Sequence, residues 1–245
     1  AVALYSVGYQ RHEPLRGGRA YASCLLAFLA AATVITLTRH FGLLWVAMEA
    51  TTLATAPLIY DPAGRRSLEA VWKYLVVCSV GIAVALLGIF FLATAQLAGG
   101  AAHGRPLMLE DLLAAGPLLH PAWLRGSFVF VLIGFGTKMG LAPMHTWLPD
   151  AHGEAPSPIS ALLSGSLLNL AFLAILRELA VLRAAGQGDF AGPLLAGFGL
   201  FSVAVAAAFL FGQSNYKRML AYSSVEHMGI LAVGAGLAGV AAYGA

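Results

Sequence analysis

The chain has 245 residues, 60% of them hydrophobic and only 10% charged, with a mean hydropathy of +0.82. That balance excludes an ordinary soluble domain, in which about a quarter of residues are charged. The net charge of +3 is spread over short connections, so it bears on membrane orientation and implies no nucleic-acid partner. Cys24 and Cys78 stand singly in apolar runs without a partner at metal-ligand spacing, so no cysteine-held metal or other cofactor is expected.

Runs of about 20 apolar residues mark membrane helices. Residues 1–19 read as the tail of a truncated helix and a basic loop, "QRHEPLRGGR", with no recognisable leader peptide. Helices are then predicted over 20–38, 41–60, 69–98, 126–142, 158–182, 191–212 and 219–243. The connection 99–125 contains "PLMLEDLLAAGPLLHPAWL", whose leucines and acids predict a short amphipathic helix at the interface. The chain starts at Ala1 and stops at Ala245 within an apolar stretch, and is expected to be a fragment of a longer protein. The predicted fold class is an all-α, multi-pass membrane bundle.

Lys and Arg counted over alternate connections give seven on one side (Arg11, Arg16, Arg19, Arg65, Arg66, Lys217, Arg218) and five on the other (Arg39, Arg105, Arg125, Arg177, Arg183). The excess assigns "QRHEPLRGGR" and "SNYKR" to the cytoplasm, and by alternation the segment "HTWLPDAHGEAPSP" as well.

Two ionisable residues lie where lipid should be. Glu49 is eight residues beyond Phe41, about 12 Å into the membrane at helical rise, and Lys138 is similarly deep. Such residues cost about 2.5 to 3.5 kcal/mol each to insert and usually line an ion path. A buried Glu–Lys pair that only pins helices together is the competing explanation. After Lys138, Gly140 and Pro143 predict a broken helix with a break at 143–157. Its freed backbone groups must be met by protein or water, as beside a proton route, although a simple proline kink would leave the same trace.

"GFGTKMGLAPMHTWLPDAHGEAPSPISALLSGSLL" resembles the signature of the antiporter-like, proton-translocating membrane subunits shared by respiratory complex I, Mrp-type sodium/proton antiporters and energy-converting [NiFe] hydrogenases. "MEATTLATAPLI", "WKYLVVCSVGIAVALLG" and "QSNYKRMLAYSSVEHMGI" are most similar to the hydrogenase-4, or formate hydrogenlyase, branch, and the likeness runs from about residue 5 onward. It implies inverted five-helix repeats, with 20–182 as a complete first repeat and 183–245 as the first two helices of the second. In each repeat a buried acid follows a basic turn: Glu49 lies ten residues after Arg39, and Glu226 eight after Arg218.

By the same resemblance Glu49 matches the essential buried glutamate, Lys138 the lysine of the broken helix and Lys73 an accessory lysine, while His145, Asp150 and His152 belong to the segment at the break. Where complex I relatives carry a lysine in the next helix this chain has Asn169, and where relatives often have an aspartate before the "KR" pair it has Asn215. An asparagine can relay a hydrogen bond but holds no charge. Read from the residues alone, several assignments stay open. Lys73 follows Glu69 by four positions and suits a surface ion pair as well as a transport role. His145 and His152 suit either caps at the break or a relay. Glu226 and His227 are adjacent and point about 100° apart on a helix, so one can serve the path and the other packing.

"GFGTKMG" is neither a G-x-G-x-x-G nor a P-loop sequence, and the serines of "SPISALLSGS" have no His/Asp partners, which excludes nucleotide binding and hydrolysis. The resulting expectation is a proton-translocating membrane subunit with no redox centre of its own, in a bacterial or archaeal plasma membrane. Its expected partners are other membrane subunits and a peripheral redox module. A sodium/proton antiporter subunit or a non-transporting scaffold are the alternatives.

Overall fold

The computed structural model describes residues 2, 5, 6, 8, 9, 18–61, 64, 66–100 and 105–243. The predicted helix stub and loop at 1–19 lie largely outside these residues, as do Arg11, Arg16 and Arg65 of the charge count. The described chain is almost wholly helical and forms no named strand: α1 Gly18–Leu37, α2 Phe41–Ile59, α3 Ser67–Ala98, α4 Leu109–Ala114, α5 Pro121–Met139, α6 Trp147–Glu154, α7 Ser157–Leu162, α8 Leu168–Ala184, α9 Gly188–Leu210 and α10 Tyr216–Tyr243.

Among the described residues, six stretches are long and apolar enough to cross a membrane: Arg19–Leu37, Phe41–Ile59, Ser67–Ala98, Pro121–Glu154, Ser157–Ala184 and Gly188–Leu210. All seven expected helices form, but α10 is not among the six. Lys217, Arg218, Glu226 and His227 dilute the apolar character of its first half.

Helix ends follow local chemistry. The His40 Nδ1 accepts from the amides of Gly42 and Leu43 at 3.0 and 3.3 Å, capping α2. Asn215 caps α10 by accepting from Lys217 and Arg218 amides at 2.9 and 3.3 Å, a task an asparagine performs as well as an aspartate. Helix α5 starts at Pro121, five residues ahead of the predicted boundary, because proline is pre-organised for the first helical position.

Close backbone approach organises the packing. α3 and α5 run antiparallel with small residues between them: a Cβ on Gly88 would come within 2.7 Å of the Val131 side chain, and one on Gly134 within 2.5 Å of the Ala85 amide. α9 and α10 pair in the same manner, where a Cβ on Gly199 would meet the Gly229 carbonyl at 2.6 Å. Such surfaces pack by van der Waals contact, which is what remains when lipid removes the hydrophobic drive.

The bundle has two ends. At one, the expected amphipathic helix forms as α4 and is tied to the start of α2: Phe41 donates to the Leu107 carbonyl at 3.0 Å, and Leu109 to the Arg39 carbonyl at 2.8 Å. Arg39 pairs with Glu110 at 2.6 Å, and Arg105 with Asp111 at 3.2 Å. At the other end lie the starts of α3 and α10 together with α6.

The break differs from its predicted span. Helix α5 stops at Met139, where Gly140 takes a left-handed conformation at φ 82°. A single 3-10 turn, Met144–Thr146, leads into α6, so most of the expected break at 143–157 is helical and not an open loop. Pro149 and Pro158 sit in first turns, where a missing N–H costs nothing, and therefore open helices here. Protein groups meet the freed backbone: the Trp147 indole donates to the Thr137 carbonyl at 2.8 Å, and the Ala142 amide donates to the Ser202 hydroxyl of α9 at 2.9 Å. A second irregularity, a π turn at Leu163–Leu167, joins α7 to α8.

Candidate functional site

Helices α2, α3 and α5 bring their polar residues together in the middle of the bundle. Lys138 is fully buried, in the last turn of α5. Its Nζ donates to the Thr52 hydroxyl of α2 at 2.6 Å and to the Tyr74 hydroxyl of α3 at 2.9 Å. Thr52 in turn donates to Glu49 Oε2 at 3.3 Å, and Ser79 of α3 donates to Glu49 Oε1 at 2.9 Å. Tyr74 shares a 2.6 Å hydrogen bond with Thr55, and its ring leans on Trp147 of α6 with centroids 5.1 Å apart.

Glu49 and Lys138 therefore converge, as the sequence implies, but no direct ion pair joins them among the described ion pairs. One hydroxyl stands between them. Thr52 accepts from the ammonium and donates to the carboxylate, which is the polarity a one-hydroxyl proton bridge requires. Thr51, Thr52 and Thr55 are all buried. They are the threonines of "EATTLAT", two, three and six positions past Glu49, and their spacing alone does not single out Thr52 as the bridge.

Lys73 stands elsewhere. Its side chain is 49% exposed and pairs with Glu69 and Asp150, both at 3.0 Å. Its neighbour Tyr74 is the residue that turns inward. Asp150 also binds Arg218 at 2.7 Å, so one carboxylate links α3, α6 and α10 beside a polar cleft of about 370 Å³ lined by Arg66, Glu69, Lys73, Asp150, Glu154 and Arg218.

The two histidines of the break are buried, and each keeps one ring nitrogen without a hydrogen-bond partner: Nδ1 of His145 and Nε2 of His152. His145 packs edge-on to Tyr222 with centroids 6.1 Å apart. His152 faces a groove of about 770 Å³ between α7–α8 and α10, where Asn169, Ser164, Ser224 and His227 also lie. Asn169 is exposed and donates to the Gly165 carbonyl of the π turn at 3.0 Å. It does not touch the Lys138 cluster, so a relay from Lys138 through Asn169 is not assembled by direct contact. His227 is exposed and bonded to the Ser223 carbonyl at 2.6 Å, whereas Glu226 is half-buried, in keeping with their divergent directions.

Sequence reasoning missed Glu178. It is fully buried on α8, and its Oε1 accepts from the Ser127 hydroxyl of α5. In "AILRELAVL" it reads as half of an Arg–Glu surface pair, and only the packing of α5 on α8 shows that Arg177 turns away to the carbonyls of Ile35 and Thr36 at 2.9 and 2.8 Å.

Three comparisons bear on this arrangement. Residues 38–245 match a family described as NADH:quinone oxidoreductase/Mrp antiporter, transmembrane. A hydrogenase-4 component F homolog from Methylacidiphilum infernorum is 42% identical over 98% of this chain and 52% of its own length, so the chain spans about half of that relative. Among solved structures, the chain is similar to a subunit of the membrane-bound sulfane sulfur reductase, an archaeal respiratory membrane complex, with TM-score 0.78 and 26% identity over 88% of this chain and 43% of that one. It is also similar to a subunit of respiratory complex I from Thermus thermophilus, with TM-score 0.74 and 29% identity over 96% and 48%.

Proposed function

Because the chain belongs to the NADH:quinone oxidoreductase/Mrp antiporter membrane family, we propose that it is the proton-translocating part of a membrane subunit in a redox-driven complex. The observation that carries this reading is the hydrogen-bonded series Lys138–Thr52–Glu49, set inside a membrane bundle and bridged by one hydroxyl. A lysine without an ionic partner at contact distance is held by two hydroxyls, and these can follow a proton as it arrives or leaves without moving a helix.

In the proposed step the Lys138 ammonium passes a proton to the Thr52 oxygen as Thr52 passes its own to Glu49. The threonine ends unchanged, with its hydrogen bonds reversed. Movement of α5 or α2 would break the bridge and separate uptake from release. Electrons would pass through partner subunits, among which a peripheral redox module is the proposed driver, in a bacterial or archaeal plasma membrane. Residues 20–182 would act as one translocating repeat and 183–245 as the opening of a second. The hydrogenase-4 homolog and the two respiratory complexes support this assignment over an unrelated carrier.

The test is Glu49→Gln in the full-length protein within its complex, reconstituted in sealed vesicles. Proton uptake is expected to fall roughly a hundredfold, the scale of losing one acid–base group, while electron-donor oxidation with a soluble dye stays near parental. Parental uptake in the variant rejects the reading. Proton movement that persists without electron donor and requires a sodium gradient would assign the chain to a sodium/proton antiporter instead.

A further inference from the structure

We infer that Glu178 is a second proton-holding site, set between α5 and α8 on the far side of Lys138 from the Asp150 cleft. It deepens the proton-translocation reading and rests on it. The carboxyl is fully buried within this chain alone. Ser127 donates to one oxygen, and the other oxygen has no partner. Ser127 precedes Lys138 by eleven positions on the same helix, which places Glu178 about 16 Å along α5 from the lysine.

No described cation neutralises it. On the elements packed against α8, Arg125 donates to Gln187 at 2.6 Å, Arg177 to the carbonyls of α1, and Arg183 to the Ala235 carbonyl at 2.7 Å. Glu110 and Asp111 are bound by Arg39 and Arg105, Asp150 takes Arg218, Lys217 donates to the Ala155 carbonyl, and Lys138 is held by Thr52 and Tyr74. Glu49 is bound by Thr52 and Ser79, and Asp189, Glu226 and His227 make no described ion pair with Glu178. A bare carboxylate with a single hydroxyl donor in an apolar interface is costly. The resting group therefore carries its proton on Oε2, while Oε1 accepts from Ser127. Oε2 then offers an acidic hydrogen to water or to a passing hydroxyl. Ser127 stays on Oε1 and supports the carboxylate for the interval before a proton returns from the Lys138 side. Nothing is oxidised or reduced, and each proton released is replaced by one taken up.

The experiment compares parental protein with Glu178→Gln, Ser127→Ala and Glu49→Gln, each in the full-length chain within its complex. Infrared difference spectra in H₂O and D₂O at neutral pH should contain a protonated-carboxyl band that is absent in Glu178→Gln, retained in Glu49→Gln and shifted in Ser127→Ala. Vesicle proton uptake should fall roughly a hundredfold in Glu178→Gln, with helicity and assembly unchanged because glutamine keeps the acceptor for Ser127. A missing band, a band unmoved by Ser127→Ala, or parental uptake in Glu178→Gln overturns the proposal, however Glu49→Gln behaves. Parental uptake in Glu49→Gln alone overturns the Lys138–Thr52–Glu49 route and leaves Glu178 standing on its own loss.

Discussion

At the scale of single residues, the unexpected participant is a hydroxyl. Lys138 and Glu49 are the residues that lipid makes conspicuous, yet Thr52 is the atom they share. Thr52→Val keeps the shape and removes the bridge, leaving one ammonium proton and one carboxylate oxygen short of a partner. Thermal stability of the purified complex should fall by about 1–3 kcal/mol, and proton uptake should fall with it. Thr52→Ser restores the hydroxyl and should restore most of both. Parental behaviour in Thr52→Val with loss in Thr52→Ser would show that Thr52 acts through its methyl packing. Glu49 and Lys138 were legible because charge in an apolar run is costly and so stands out. Thr52, Tyr74 and Ser79 were not, because hydroxyls are common in membrane helices and which face they occupy depends on helix rotation.

At the scale of elements, helix existence was written in the chain and helix interruption was only half written. Gly140 does end α5, but the prolines beyond it open helices, so the polar stretch folds as buried α6. The short α4 shows how a connection is held. Its Asp111 accepts from both the backbone amide and the guanidinium of Arg105, at 2.6 and 3.2 Å. Those hydrogen bonds hold its carboxyl below the usual carboxylate range and raise Arg105 in turn. A depressed folded-state value means that the clasp contributes fully above the ordinary carboxylate range and is lost as pH falls through the folded value. Asp111→Asn should therefore lower stability slightly at neutral pH, and the deficit should shrink and vanish as pH falls through the depressed folded-state value, as read from melting temperatures across an acid pH series. A deficit of equal size at every pH would assign the clasp to shape alone. The effect is small because the pair is solvent-exposed.

At the scale of the whole molecule, one carboxylate ties three elements together. Asp150 of α6 holds Lys73 of α3 and Arg218 of α10, so the helix after the break ties α3 to α10. Asp150→Asn should lower the melting temperature by the equivalent of about 1 kcal/mol, since both pairs are partly exposed, and speed hydrogen exchange in the first turns of α10. Glu69→Gln breaks only an exposed pair one turn along the same helix and should do neither. Matching effects in the two variants would mean that Asp150 couples nothing across the bundle.

The sequence by itself determined the class and the seven helices and singled out Glu49 and Lys138, because the cost of placing charge or unpaired backbone in lipid is local and can be read residue by residue. The likeness of its motifs to one membrane family was equally local. The tertiary structure decided which polar groups meet. It turned Lys73 out and Tyr74 in, set Thr52 between the two charges, left Asn169 on an outer groove, and buried Glu178 against Ser127. Those outcomes depend on the rotation of each helix about its axis, which is fixed where glycine and alanine let backbones close, and one residue of rotation carries a side chain through about 100°.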